Sequence, residues 1–201
     1  MFRGPRGDGT VIGARLPLRW SETNNVRWKV AIPNLGWSSP VVEGGRVWVT
    51  SATKDGKDYF AYCVDAETGK LLIERRLFHC DNPEPLGNAV NCYASPTPAI
   101  ADGRVFVHFG SYGTACLDAK SGETLWARED FKCRHYRGPG SSVVLYRGLV
   151  ILTFDGVDVQ YVAALDARTG KTVWQTDRQI VWNDLDENGN PKREGDFRKG
   201  F

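Results

Sequence analysis

Residues 115–126 read Ala-Cys-Leu-Asp-Ala-Lys-Ser-Gly-Glu-Thr-Leu-Trp, and the chain repeats this stretch. It returns at 164–174 as Ala-Leu-Asp-Ala-Arg-Thr-Gly-Lys-Thr-Val-Trp and, more loosely, at 63–73, where Ile73 stands in the place of tryptophan. An Asp carboxylate and a Thr or Ser hydroxyl can bond nearby backbone N–H groups, and Gly accepts the positive φ of a tight loop. The shared pattern, Asp-Ala-x-Thr/Ser-Gly-x-x-x-Trp, therefore predicts a hairpin turn and then a strand whose Trp must be covered.

A second pattern alternates with the first. Residues 40–49 align with 98–107, and 142–151 form a third, weaker match. Each unit then reads strand, Gly turn, strand, loop, strand, Asp-Ala-x-Thr-Gly turn and strand. Four antiparallel strands in a period of about 40 to 50 residues are typical of a β-propeller blade. The residues predicted to be structural in these units are Asp65, Gly69, Asp118, Gly122, Trp126, Asp166, Gly170 and Trp174.

These residues resemble the pyrroloquinoline-quinone-type (PQQ-like) repeat. That repeat is found in quinoprotein dehydrogenases and in the propeller lipoprotein of the outer-membrane β-barrel assembly machinery. The resemblance covers about residues 26–182 and implies an all-β fold, a partial PQQ-like β-propeller. Because propellers have about four to eight blades, the 201 residues are expected to be a fragment with about three four-stranded antiparallel blades, a ring-closing strand and the start of a fourth blade.

The expected organisation follows the repeats. The predicted segments are an irregular lead-in at 1–25, an outer closing strand with Trp28 at 26–36, blade 1 at 37–77, blade 2 with its long initial loop at 78–130, blade 3 at 131–178, and a loop leading to a missing blade at 179–201.

Composition gives no reason to expect binding to nucleic acid or to a bilayer. The chain has 26 basic and 24 acidic residues, a formal net charge of +2, and no large basic cluster. No apolar run approaches the ~18 residues of a membrane span, and no signal peptide is visible at the start. The resemblance implies a periplasmic or other exported, cell-envelope protein.

The chain has five cysteines, an odd number. Cys63 and Cys116 precede the turn Asp by two residues each, so they are predicted to be small buried core residues. For a disulfide, hairpin geometry favours Cys80 with Cys92, across a loop, over Cys63 with Cys80 or Cys116 with Cys133.

Seven residues lie shortly before the first strands of the blades, where a propeller gathers its loops around one end of the central channel. They are the candidate ligand- or partner-binding residues Trp37, Ser38, Tyr93, Ser95, His135, Tyr136 and Arg137. Aromatic rings, hydroxyls and a guanidinium can together hold a ligand or a peptide of a partner. The alternative is that the Tyr, Gly and Ser residues only shape tight turns before the strands.

The sequence favours neither a quinone nor a metal. The resemblance implies, for the dehydrogenases, an adjacent pair of cysteines and a calcium ion held by Glu, Asn and Asp beside a catalytic Asp, and this chain has no adjacent cysteines. Asp184, Asp186 and Asn188 copy the first half of a calcium loop, but Gly195 stands where its final Glu belongs, so a solvated turn is favoured. We expect neither pyrroloquinoline quinone nor calcium to bind.

The three histidines do not have zinc-site spacing. His108 aligns with Thr50 and Leu152 of the other repeats, which predicts a packing role. No residue is assigned a catalytic role. The preferred hypothesis is a non-catalytic propeller scaffold of the cell envelope that binds protein partners at its loop mouth or blade edges. The alternatives are a quinoprotein dehydrogenase whose catalytic residues lie outside this chain, and a sugar- or peptide-binding propeller that serves a separate catalytic module.

Overall fold

The computed structural model describes residues 4, 8–87, 89–179, 186–190 and 192. Its strands form three four-stranded antiparallel sheets in chain order. The first sheet contains β1 (Val41–Glu43), β2 (Arg46–Ala52), β3 (Asp58–Asp65) and β4 (Leu71–His79). The second contains β5 (Ala99–Ala101), β6 (Arg104–His108), β7 (Thr114–Asp118) and β8 (Thr124–Arg128), with a 3-10 helix at Gly110–Tyr112. The third contains β9 (Val144–Tyr146), β10 (Leu149–Asp155), β11 (Gln160–Asp166) and β12 (Thr172–Asp177).

Each sheet is a simple meander, and its first strand contacts the first strand of the next sheet. β5 lies between β1 and β9, so the three sheets fan out from a common axis at their inner strands. This arrangement confirms the predicted fold class, a partial β-propeller with almost no helix in the part of the chain that is described. We call the three sheets blades 1, 2 and 3.

Strand β6 shows why its residues are apolar on both faces. Val105 and Val107 are buried in the core between blades 1 and 2, which also contains Trp48 and Tyr59. Phe106 points the other way, into the core between blades 2 and 3. Because successive side chains of a strand alternate between faces, a blade covered on both sides has no polar face.

The Asp-Ala-x-Thr/Ser-Gly turns have nearly identical geometry. Oδ1 of the Asp accepts the backbone N–H two and three residues later and the Thr or Ser hydroxyl, at 2.7–3.1 Å. The pKa of each of these Asp carboxyls is lowered: the main cause is the hydroxyl bond at Asp65 and Asp166, and the backbone N–H of Ser121 at Asp118. The glycine that closes each turn has a φ of +70 to +73°. The motif therefore builds the same turn three times.

The residue at the Trp position packs on the turn of the following blade wherever that turn is described. A Cβ added to Gly170 would lie 2.7 Å from the ring of Trp126, and Gly69 has the same relation to Trp28. The indole N–H of Trp126 donates to Ala167 O at 3.1 Å, and that of Trp28 to Ala66 O at 2.9 Å. Glycine is required in these turns both for its φ and because the ring occupies the space of a side chain.

Ile73 takes the Trp position before blade 2. It packs on Gly122 but has no N–H to donate to the turn. We expect Ile73→Trp to raise the free energy of unfolding by about 0.5–1 kcal/mol, because the other units show the contact that it would restore. Urea denaturation of the full-length protein measures this, with Leu72→Trp, on the exposed side of β4, as the matched control. A loss of stability in Ile73→Trp would contradict the equivalence of these sites.

The outer closing strand expected at 26–36 stays a prediction, because its sheet partners are expected in a blade outside this chain. Among the described residues, 26–34 are assigned to no strand, and Leu35 makes an isolated bridge with Ala52. Trp28 holds the segment to blade 1 through its indole N–H, which donates to Ala66 O.

Trp174 differs from the other Trp positions. We expected it to be covered, but the side chain is 39% exposed, and every residue of β12 is exposed. No turn of a following blade lies among the described residues to cover it. Of the loop expected at 179–201, only residues 179, 186–190 and 192 are described.

Register and cysteines give further corrections. Pairing of Val144 with Ile151 aligns Val144, not Val143, with Val41 and Ala99. His108 is consequently equivalent to Thr50 and Thr153 rather than to Leu152.

All five cysteines are free thiols, so the Cys80–Cys92 disulfide is not formed. The proposed segment boundaries stay predictions, although β4 continues to His79, beyond the boundary at 77.

Candidate partner-binding face

The antiparallel order places two kinds of connection at opposite ends of the blades. We call one end the turn face; it carries the Asp-Ala-x-Thr/Ser-Gly turns and the Gly turns at 44–45, 102–103 and 147–148. We call the other end the loop face; it carries segments 35–40, 53–57, 80–98, 109–113, 131–143 and 156–159, apart from Asn88, which is not described. All seven candidate binding residues lie on the loop face.

Hydroxyl groups connect the segments that precede the inner strands. The backbone N–H of Ser39 donates to Thr97 Oγ1 at 3.0 Å, and that of Thr97 donates to Ser142 Oγ at 2.9 Å. These three residues are equivalent in the repeats. This linkage was not predicted, although the recurrence of a Ser or Thr at this one position was a signal. Ser38 has a local role, because its Oγ accepts the N–H of Thr50 at 3.0 Å.

Glu84, in the long loop after β4, joins that loop to blades 2 and 3. Its carbonyl oxygen accepts the hydroxyl of Tyr93 at 2.9 Å, and its Oε2 accepts the N–H of His135 at 2.7 Å. Its own N–H donates to the hydroxyl of Tyr112 at 3.2 Å. Sequence reasoning did not single out Glu84, because the loop has no repeat from which a role could be inferred.

Two of the seven candidates are buried and hold the loops together. Tyr93 packs on Gly56, and burial raises the pKa of its hydroxyl. His135 accepts the N–H of Ser111 on Nε2 at 2.9 Å, and its ring lies against Gly110. For these two residues the geometry fits the alternative reading, in which they shape the loops.

The other candidates lie nearer the surface. Ser95 donates to Asn91 Oδ1, and Asn91 in turn donates to the carbonyl oxygen of Arg137 at 2.7 Å. The carbonyl oxygen of Tyr136 accepts the N–H of Gly87 at 2.6 Å, and the Arg137 guanidinium lies 5.9 Å from the centre of the Tyr136 ring. These contacts join the loop before β5 to the loop before β9.

Trp37 is the most accessible of the candidates. Its side chain is 58% exposed, and Leu35, two residues earlier, is 46% exposed. The backbone beneath them is held on both sides: Leu35 bridges Ala52, and the N–H of Trp37 donates to Ala94 O at 3.1 Å. A side chain on Gly36 would collide with the carbonyl oxygen of Thr50, so this close approach requires glycine. Two large apolar side chains are thus presented on a fixed backbone.

The polar side chains of the loop face that could serve as nucleophiles or bases already have partners within the protein. Ser111 Oγ donates to Cys133 O at 2.6 Å and accepts the N–H of Cys133 at 2.8 Å. Cys133 Sγ is 3.8 Å from the nearest ring nitrogen of His135, and both residues are buried. Asp155 forms an ion pair with Arg178 at 2.6 Å. The arrangement supports loop order rather than an activated nucleophile.

The expectation that neither pyrroloquinoline quinone nor calcium binds stays a prediction. His108, His135 and Asp155 line a cavity of about 10 Å³, which holds no more than one water molecule. Within the described ranges, no group of three His, Cys, Asp or Glu side chains is placed to hold a metal ion. Of the residues that resemble a calcium loop, Asp184 is not among the described residues. Asp186 Oδ1 accepts hydrogen bonds from the backbone N–H groups of Asn188 and Asn190, both at 2.9 Å. No helix among the described residues is both long and apolar enough to cross a membrane.

The meander sheets, their shared inner axis and the repeated Trp-on-Gly contact define a β-propeller of PQQ-like repeats. The chain matches, over residues 19–191, the family described as outer membrane protein assembly factor BamB, and it belongs to that family. A search of curated proteins gives no match.

Two dehydrogenase structures share this fold at low identity, and a third solved structure is less similar. A europium-containing methanol dehydrogenase is 21% identical, with a TM-score of 0.54 over 78% of this chain and 28% of that one. A quinohemoprotein alcohol dehydrogenase from Comamonas testosteroni is 20% identical, with a TM-score of 0.51 over 72% and 21% of the two chains. BamB from Moraxella catarrhalis is 15% identical, with a TM-score of 0.40 over 78% and 56%. The chain spans less than a third of the length of the two dehydrogenases.

Proposed function

We propose that this chain is part of a non-catalytic β-propeller of the periplasm or cell envelope, which binds a protein partner through the loop face around Trp37. The observation that carries the proposal is the exposed Trp37 ring on a backbone fixed to blades 1 and 2. A rigid, exposed Trp is the residue type that most often dominates a protein interface, because it buries a large area with little loss of side-chain freedom.

Two further features support a function in binding a partner protein. Leu35, two residues before Trp37, adds a second exposed apolar side chain, and Gly36 between them lines a cavity of about 160 Å³ together with Thr50. The family description, outer membrane protein assembly factor, is consistent with a partner protein and an envelope location. The similarity to the two dehydrogenases supports only the fold, because their sequence identity to this chain is low.

Photocrosslinking tests the proposal. A photoreactive phenylalanine analogue at position 37 of the full-length protein, irradiated in its native cells, is expected to give an adduct of defined mass with a second protein. The same analogue at the exposed Lys120 on the turn face is the matched control and is expected to give none. Trp37→Ala should weaken co-purification of the crosslinked protein about tenfold or more and leave the melting temperature unchanged.

Two outcomes would contradict it. An adduct only within the same chain would mean that Trp37 packs against another part of its own protein. Appearance of a bound quinone absorbance when the full-length protein is mixed with pyrroloquinoline quinone and calcium would favour the dehydrogenase alternative instead.

A further inference from the structure

A groove of about 540 Å³ lies on the turn face between blades 2 and 3. It is at the opposite end of the blades from Trp37, and all the residues that line it are described. Its volume is in the range of ligand pockets, about 300–1,000 Å³. Phe106, Leu145 and Leu149 give it an apolar floor, and Tyr146, which is 56% exposed, stands at its rim.

The groove is lined by more positively charged than negatively charged side chains. Arg104, Arg147 and Arg168 line it together with two carboxylates, Asp102 and Asp166. Asp166 Oδ1 already accepts three bonds within its own turn, and Arg104 donates to Ala167 O at 3.3 Å. Arg147 and Arg168 form no ion pair with any residue that the structure describes. The groove is therefore net positive, with two guanidinium groups at its edge.

Arg147 has an unfavourable backbone conformation. Its φ is +47°, in the left-handed region, and the equivalent residues in the other blades are Gly44 and Asp102. Glycine and aspartate adopt this region more easily than arginine does. The Arg147 guanidinium also lies 5.3 Å from the centre of the Tyr146 ring, where a cation–π contact holds it over the groove rim. The two-residue Gly turn takes a positive φ at this position in all three blades, so an arginine is less favourable there than Gly44 or Asp102, and its presence at an exposed position points to a role in binding.

We propose that this groove binds an acidic peptide segment of a partner protein, in which a carboxylate lies next to an apolar side chain. The carboxylate pairs with the guanidinium groups of Arg147 and Arg168, and the apolar side chain packs on Tyr146 and the floor of the groove. Guanidinium groups bind carboxylates with two parallel hydrogen bonds, which fixes the orientation as well as the charge. A groove that is open to solvent along its length suits a peptide better than an enclosed small molecule.

The test uses the full-length protein and two capped tetrapeptides at low ionic strength, one alternating aspartate with phenylalanine and one alternating lysine with phenylalanine. Isothermal titration calorimetry is expected to show at least tenfold tighter binding of the acidic peptide. Arg147→Gly, which installs the residue found at position 44, is expected to weaken that binding about tenfold while raising the melting temperature. Lys171→Gln is the control, because it removes an exposed cation outside the groove, next to the turn that carries Arg168. It should change neither the affinity for the acidic peptide nor the melting temperature.

The combination of weaker binding with higher stability separates a binding role from a structural one. Equal affinity for the two peptides, or unchanged affinity in Arg147→Gly, would overturn the proposal. A lower melting temperature in Arg147→Gly would show that Arg147 serves the fold, and it would overturn the proposal as well. None of these results depends on the Trp37 interface.

Discussion

Truncation of Trp126 to alanine is expected to lower the free energy of unfolding by about 2–4 kcal/mol. The ring is half-buried, packs on Gly170 and Phe106, and donates its indole N–H to Ala167 O. Alanine would open a cavity between blades 2 and 3 and leave that carbonyl oxygen without its indole donor. Urea denaturation of the full-length protein, monitored by far-UV circular dichroism, gives the value.

A matched variant defines what the loss means. Leu125→Ala removes a neighbouring side chain of β8 that is about half exposed, and it is expected to cost less than about 1 kcal/mol. A loss below about 1 kcal/mol in Trp126→Ala would show that the inter-blade contact is not important for stability.

The turn on which Trp126 packs also explains why the repeat could be recognised in the sequence. Asp166, Thr169 and Gly170 form their turn through bonds that span only a few residues, so the local sequence is sufficient to specify it. The four-strand period follows from the regular return of that turn. For these reasons the strand order within each blade could be predicted.

The misplaced register in blade 3 has a local cause. Its first strand lacks the proline that precedes β1 and β5, and Leu149 stands where Arg46 and Arg104 follow the Gly turn. With those two markers missing, the pattern could be aligned one residue too early. Strand pairing corrects it, and the correction shows that Thr, not Leu, is the counterpart of His108.

The candidate site was harder to predict than the fold. All seven residues lie before the inner strands, but no pattern in the sequence indicated that Tyr93 and His135 are buried. Their burial depends on Glu84, which lies in a loop without a repeat and reaches both blades. Tertiary contacts of this kind leave no periodic signal, whereas the exposed Trp37 could be identified as a candidate from its type and position.

The two faces of the propeller suggest different uses of the same blade. On the loop face, one fixed segment presents apolar side chains, which suits a partner surface with matching apolar groups. On the turn face, the groove between blades 2 and 3 is net positive, because blade 3 carries Arg147 where blade 1 has Gly44 and blade 2 has Asp102. Sequence differences between repeats, rather than the shared motif, therefore mark the proposed binding sites.

Acidification from pH 7 to pH 5 is expected to lower the free energy of unfolding through His108. Burial, together with the charge of His135, lowers the pKa of His108 to about 3. Its ring lies beneath the loop face, bonded to Thr114 Oγ1 at 2.8 Å and edge-on to Phe154. The unfolded chain takes up a proton near pH 6.5 and the folded chain does not, so stability is lost as the pH falls below that value, by about 2 kcal/mol at pH 5.

His108→Thr isolates this effect, because Thr50 and Thr153 occupy the equivalent positions of the other blades. The variant loses stability at pH 7 from its missing ring, but the slope of stability against pH between 7 and 5 should fall by most of its value. His79 acts in the opposite sense: bonds to Asp58 and then Asp81 raise its pKa, so it favours the folded state at low pH, and His79→Gln should steepen the slope. The turn carboxylates, whose pKa values are lowered from 3.8, matter only below this window. An unchanged slope in His108→Thr would show that His108 is protonated in the folded protein or that another group controls the acid response.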